Sequence, residues 1–203
     1  MNFYTNITRY GNMILLRGFE NGQRISRKIK YQPTLFVSSP KGTWTSLSGV
    51  KCEPLKFESM RDAKNWVDEN KQVAGRQIFG NTRYLSSFAN DYYPGKIKFD
   101  RNLINVTSID IEVASDDGFP EPQDANKPVT AITIKNNIDN TYYVFGVGDY
   151  DVSKSLMKTN RVVYIKCLNE AMLLQKFLDH WSTPSQTPDV ITGWNSRFFD
   201  IPY

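Results

Sequence analysis

At 203 residues and 23.4 kDa, with 40% hydrophobic and 13% aromatic residues, the chain carries enough apolar material for one large domain or two small ones, which excludes a disordered polypeptide. No apolar run approaches the ~20 residues of a membrane span, and the opening MNFYTNITRY has no apolar signal-peptide stretch. The expectation is a soluble, cytoplasmic protein with no membrane partner, and its net charge of +4 is only mildly basic.

That charge is unevenly placed. Residues 1–100 hold 16 Lys+Arg against 8 Asp+Glu, a net +8, and residues 101–203 hold 9 against 13, a net −4. A basic half suits a polyanion, because each cation near a phosphate displaces a condensed counterion. An acidic half suits divalent cations, which take oxygen ligands, although an uneven solvated surface gives the same counts. Cys52 and Cys167 lie 115 positions apart, and the single His180 cannot complete a zinc set with them. They read as reduced, buried thiols.

In chain order, Phe3 to Tyr10, Met13 to Phe19, Arg24 to Tyr31 and Thr34 to Val37 alternate apolar and polar residues as strands of an antiparallel sheet. Asn21-Gly22 marks a hairpin, since both residues tolerate the positive φ of a type I′ turn. Within Lys56 to Val73, Ser59 followed by Asp62 resembles a capping box, and Ala63, Trp66 and Val67 recur at helical spacing, which predicts one amphipathic helix on that sheet. Gly75 to Pro94 shows no clear period and reads as loops and short elements. From Asn105 the pattern sharpens into strands at Asn105 to Val113, Val129 to Lys135 and Thr141 to Val147, with a Pro-rich loop from Gly118 to Pro128 and a turn at Asp139-Asn140. A strand at Val162 to Ile165 follows. Next comes a helix from about Asn169 to Trp181, with Leu173, Leu174, Phe177, Leu178 and Trp181 on one face, and a last strand at Asp189 to Trp194. This order predicts a mixed sheet flanked by helices.

Two segments carry candidate chemistry. In Asp110-Ile111-Glu112, strand alternation puts both carboxylates on one face and Ile109, Ile111 and Val113 on the other. Adjacent carboxylates repel unless a positive charge lies between them. Bound Mg²⁺ or Mn²⁺ would supply it, and a solvent-facing strand would also tolerate the pair. At the chain end, Gly193-Trp194-Asn195-Ser196-Arg197-Phe198-Phe199-Asp200 would bring a third carboxylate to a strand's carboxyl end, or hold only a turn-forming Asn and a helix-capping Asp. Phe198 and Phe199 read as core.

Taken together, Asp-Ile-Glu in a strand and, some eighty residues later, Asn-x-x-x-Phe-Asp after Ile-Thr-Gly-Trp resemble the first two exonuclease motifs of family B DNA polymerases of the T-even-phage type. The resemblance extends through Phe119-Pro120-Glu121-Pro122, Val129 to Ile134, Tyr143-Val144-Phe145 and Phe199 to Tyr203, and more loosely through Tyr31 to Phe36 and Ser59 to Trp66. It implies a β-rich N-terminal nucleic-acid-binding domain, residues 1–100, followed by a truncated ribonuclease-H-like, DnaQ-like 3′→5′ exonuclease domain, residues 101–203, of mixed α/β and α+β class. The implied chemistry is two-metal hydrolysis of a 3′-terminal phosphodiester with Mg²⁺ or Mn²⁺. Asp110 would bridge both ions, Glu112 would hold the first and orient the water, and Asp200 would hold the second through waters. Asn195 would contact the substrate strand or support Asp200, and Phe119 would stack on an unpaired terminal base or serve as packing, as a loop aromatic before proline also does. In the basic domain, Arg27-Lys28-Ile29-Lys30 and Lys96-Ile97-Lys98-Phe99-Asp100-Arg101 read as the phosphate contacts, with Lys28, Lys30, Lys96 and Lys98 foremost and Tyr31, Tyr92 and Tyr93 available for stacking, although alternating Lys and Arg also blunt an exposed strand edge.

The family's third motif, Tyr-x-x-x-Asp, would lie beyond Tyr203, as would the palm, fingers and thumb. The expectation is therefore weak or absent nuclease activity in this chain alone. The implied partners are single-stranded DNA or a primer–template 3′ end and, where the polymerase is split, its remainder as a separate chain, all in the cytoplasm of an infected bacterial host. The competing reading is a non-catalytic single-stranded nucleic-acid-binding module.

Overall fold

The computed structural model describes residues 1–115, 118, 120–157 and 161–203, which divide into two compact units, Met1–Asp100 and Arg101–Tyr203. No helix among the described residues is long and apolar enough to cross a membrane.

The first unit opens with an antiparallel meander of β1 (Asn2–Tyr10), β2 (Met13–Glu20) and β3 (Gln23–Lys30). Asn21 and Gly22 have φ of 51° and 80°, so the β2–β3 hairpin closes through the positive-φ pair expected of a type I′ turn. The fourth predicted strand does not join this sheet. β4 (Thr34–Ser38) instead sits inside a second antiparallel sheet of order β5-β6-β4-β7, with β5 (Trp44–Thr45), β6 (Lys51–Lys56) and β7 (Ile78–Phe79). Pro33, fully buried, lies between β3 and β4 where the chain changes sheets, and Phe57 N–H bonds to its carbonyl.

Helix α1 (Met60–Asn70) starts at Ser59, whose hydroxyl accepts from Asp62 N–H at 3.2 Å and donates to the Asp62 carboxylate at 2.7 Å. Its buried Met60 and Ala63 join Ile14, Leu16 and Leu35 from both sheets in one core. A second helix, α2 (Tyr84–Tyr92), occupies the stretch read from sequence as loops. Its Tyr84 and Phe88 are buried in the same core, but Ser, Asn and Asp dilute its period and Arg83 at its start makes no side-chain cap, so the usual sequence signals are missing.

The second unit is a five-stranded mixed sheet of order β11-β10-β9-β8-β12. β8 (Val106–Val113), β9 (Val129–Asn136) and β10 (Thr141–Val147) run antiparallel, β11 (Arg161–Cys167) lies parallel to β10, and β12 (Val190–Thr192) lies parallel to β8. Helix α3 (Glu170–Trp181), capped by Asn169, packs on β9, β10 and β11. Under it Ile109, Ile132, Ile134, Phe145, Cys167 and Leu173 form the core, each large side chain contributing about 1.5–3 kcal/mol on burial. Leu174 and Leu178, expected on the buried face, are exposed, because the face that meets the sheet is the one carrying Met172, Leu173, Phe177, His180 and Trp181. Both cysteines are free and buried.

Candidate active site

The central strand sorts its side chains by parity. Thr107 and Ile109 are buried and Ile111 and Val113 partly so, whereas Ser108, Asp110 and Glu112 are exposed on the opposite face. Register carries this face across the sheet: Asp110 lies opposite Thr133, Thr133 opposite Val144 and Val144 opposite Tyr164. Glu112 stands at the rim of an open groove of 560 Å³ lined by Thr133, Tyr142, Val144, Gly146 and Tyr164. Both carboxylates thus project from a rigid strand toward solvent.

Asp200 reaches β8 by a different route. β12 pairs with β8 only over Val106 to Ser108. At Gly193 the chain passes so close to β8 that a Cβ there would sit 2.4 Å from Ile109 O, so only glycine fits. Asn195 then adopts φ 58° and its carbonyl accepts from Phe198 and Phe199 N–H, both at 2.9 Å, folding residues 195–200 into a tight turn. Phe199 is buried and stacks on Tyr203, which anchors the turn, and Asp200 Oδ1 accepts from Ile111 N–H at 3.3 Å. That amide lies past the end of β12, where the carboxylate replaces a missing strand partner.

Burial pushes the Asp200 carboxyl above its ordinary range against the lowering effect of the Ile111 amide, and the charge of Asp110 adds a smaller upward push. Its Oδ2 is buried without any hydrogen-bond partner. A buried carboxylate oxygen with no donor, held near a second carboxylate, lacks positive charge, and an all-oxygen donor set is the chemistry of hard divalent cations. Asp110, Glu112 and Asp200 therefore fit a hard divalent cation by donor type. Among the described residues, however, no three His, Cys, Asp or Glu side chains are gathered closely enough to hold an ion unaided. Asp110 is the carboxylate whose charge reaches Asp200, and Glu112 stands one step further along the strand face.

The other predicted residues are distributed as follows. Asn195 is exposed and shapes the turn through its backbone. Phe198 is 70% exposed beside Arg197 rather than in the core, because the turn spends its one inward position on Phe199. Phe119 lies outside the described residues. Lys28, Lys30, Lys96 and Lys98 are all exposed, with the Lys28 ammonium 5.0 Å from the Tyr10 ring centroid. The tyrosines proposed beside them are committed elsewhere. Tyr31 is buried and donates to Asp91 at 2.6 Å, Tyr93 is buried with its phenol pushed up to about 12 by desolvation, and Tyr92 is half-buried against Arg27 and Glu20. Burial in the α2 core removes the faces that base stacking would need.

Sequence reading missed two supports of the site. Tyr203 Oη donates to Lys127 O at 2.6 Å and accepts from Lys127 N–H at 3.0 Å, fastening the end of the β8–β9 loop. Asn105, 1% exposed, fastens the approach to β12. The only signal for either is a polar residue flanking an apolar run, which does not distinguish a buried tie from a solvated turn.

The family model described as DNA polymerase family B, exonuclease domain, matches residues 65–203. The DNA-directed DNA polymerase of Escherichia phage RB69 is 32% identical over 99% of this chain, and that of Enterobacteria phage T4 is 30% identical over 99%. The chain spans 25% and 24% of the length of these two relatives. The structure of the family B DNA polymerase from the archaeon Pyrobaculum calidifontis shares the fold at a TM-score of 0.62 and 17% identity, over all of this chain and 31% of the other. With a family match over two thirds of its length on a sheet that presents the paired carboxylates, this chain belongs to the exonuclease-domain family of family B DNA polymerases.

Proposed function

We propose that residues 101–203 are the 3′→5′ exonuclease portion of a phage-type family B DNA polymerase, acting on the 3′-terminal phosphodiester of single-stranded DNA or of a frayed primer–template end in the cytoplasm of an infected bacterium. The observation that carries this reading is the Asp110–Asp200 pair, with one Asp200 oxygen fixed by the Ile111 amide and the other buried without a partner.

Two bound Mg²⁺ or Mn²⁺ ions would supply the acidified water nucleophile and the stabilisation of the leaving 3′ oxygen. The chain's own part is to present oxygens. Asp110 and Glu112 project from one strand face, and Asp200 is aimed at them by a turn whose conformation Asn195 and Gly193 set. The mutual repulsion of Asp110 and Asp200 favours either a proton or a cation between them. Glu112, which lines the groove, would hold the attacking water and accept its proton. Phe119 and Asn195 are assigned to the substrate strand.

The decisive experiment follows release of the 3′ nucleotide from labelled single-stranded DNA with Mg²⁺ or Mn²⁺, comparing the chain with its Asp110→Ala/Glu112→Ala variant. Release that is lost in the variant supports hydrolysis at these carboxylates. Equal release by both proteins assigns the activity elsewhere and sinks the reading.

A second role is favoured by the first unit. Lys28, Lys30, Lys96 and Lys98 are exposed and make no ion pair among the described residues, so their charge is available to phosphates. Each phosphate contact adds about 0.7 to the log–log salt slope of single-strand binding. Binding that survives Asp110→Ala and loses slope on Lys-to-Ala substitution assigns the strand contact to this unit.

A further inference from the structure

The position of Asp200 depends on how residues 186–200 register against β8, and that register is fixed at its far end by the buried Asn105 side chain and the half-buried Asp189. Asn105 Nδ2 donates to two successive carbonyls, Gln186 O at 3.0 Å and Thr187 O at 3.1 Å, while its Oδ1 accepts from Thr107 Oγ1 at 3.3 Å. Its backbone N–H donates to Asp189 Oδ2 at 2.9 Å, and its carbonyl accepts from Asp189 N–H at 2.8 Å and Val190 N–H at 3.1 Å. Every polar group of Asn105 is thus used, five bonds of the six reaching residues more than eighty positions away. Only an amide of this length supplies two donors and one acceptor here; aspartate lacks the donors and leucine lacks all three.

From this lock the two chains run side by side. Val190 to Thr192 pair with Val106 to Ser108, Gly193 presses on Ile109 O and Asp200 meets the Ile111 amide. β12 contributes only three paired residues, too few to hold a register by themselves, because a short strand offers few side chains to penalise a slip. We propose that Asn105 and Asp189 are positioning residues for the exonuclease site: they set the register that brings the Asp200 carboxylate to the Ile111 amide beside Asp110. The inference rests on the proposed metal-dependent site for its consequence and on the hydrogen-bond geometry for its cause.

The test uses the full 203-residue chain, ¹⁵N-labelled, with the variants Asn105→Asp, Asp189→Ala and Asp189→Asn. Two quantities are read on proteins whose circular dichroism matches the wild type: the Ile111 amide shift and hydrogen exchange without metal, and Mn²⁺ affinity from the free-ion electron paramagnetic resonance signal. In Asn105→Asp and Asp189→Ala the Ile111 amide loses its carboxylate-bonded shift and exchanges faster, and Mn²⁺ dissociation constants rise about 10–100-fold, the range for losing an outer support of a metal ligand. Asp189→Asn keeps an oxygen acceptor and stays close to wild type in both.

A lower melting temperature with unchanged Ile111 amide and unchanged Mn²⁺ affinity would show that the lock only stabilises the fold, and would overturn the proposal. Should Asn105→Asp fail to fold, Asp189→Ala decides, since it leaves both amide bonds to Gln186 and Thr187 in place. Absence of Mn²⁺ binding by the wild type would sink the metal-site reading instead, and the metal-free Ile111 amide would then decide the positioning role alone.

Discussion

The two faces of the five-stranded sheet are built from the same strands to opposite ends. Beneath α3, Ile109, Ile132, Ile134, Phe145 and Leu173 are each 5% exposed or less, whereas Asp110 and Glu112 on the other face of β8 are open to solvent. The first face meets the cost of ordering the chain through apolar burial. The second spends the strand's rigidity on holding like charges together, an arrangement that stability alone does not favour. Rigidity and chemistry are therefore separated by the parity of one strand, and each can be altered without the other.

The largest expected effect tests the covered face. Leu173 is fully buried, and Leu173→Ala should cost about 2–5 kcal/mol in urea unfolding through lost transfer energy and a residual cavity. A cost below about 1 kcal/mol, typical of surface sites, would mean that α3 does not close the core as described.

Next in size is a gain. Burial and Asp110 raise the carboxyl of Asp200, so the folded state holds this proton more tightly than the unfolded state does. The associated stability is present below the usual carboxylate range and is lost as pH rises through the elevated folded value. At pH 7 without metal, Asp200→Asn should therefore stabilise the chain by roughly 0.5–2 kcal/mol, as relief of functional-site strain commonly does. It should also abolish the acid-range slope. Destabilisation of similar size would show that the Ile111 hydrogen bond outweighs repulsion and burial.

The covered face makes a complementary pH prediction. His180, the single histidine, lies against Tyr143 and Phe145 at 4.4 and 5.6 Å between ring centroids, and burial lowers its pKa despite the opposing influence of Asp139 and Gln186. Its contribution to stability is present above its ordinary value near 6.5 and is lost as pH falls through the lowered folded value. A proton NMR titration should place the midpoint below 6.5. A midpoint at or above that value would show water reaching this side of the sheet.

How much of this was legible in the sequence follows from the range of each interaction. Asp110 and Glu112 were placed by alternation alone, because a strand's period is a local property, and Asn21-Gly22 declared its turn for the same reason. Alternation predicts β4 in the first sheet and the structure has it in the second, since alternation fixes a strand's faces but not its neighbours. Helix α2 was missed because its burial comes from Tyr84 and Phe88 meeting two sheets, a tertiary gain that overrides weak propensity. At the site, the motif resemblance singled out Asp200, but neither its Ile111 partner nor the Asn105 tie beneath β12 leaves a local trace. Tyr31 and Tyr93 show the converse: aromatic residues near cations suggested stacking, and only the fold shows them buried.

The smallest expected effect is the sharpest test of the two-face division. Glu112 is exposed, and its N–H and carbonyl belong to the strand while its side chain lines an open groove. Glu112→Gln keeps the shape, removes one negative charge beside Asp110, and should change unfolding free energy by no more than about 0.5 kcal/mol, as for surface substitutions generally. The same change removes an anionic oxygen from the proposed cation site, so Mn²⁺ affinity should fall while Leu173→Ala, measured where it remains folded, leaves it near wild type. If Glu112→Gln instead destabilised the chain by 2 kcal/mol or more, the scale of lost core packing, the carboxylate would belong to the structural face. If it left Mn²⁺ affinity untouched, Asp110 and Asp200 would be the cation's anchors and Glu112 would be left with the water alone.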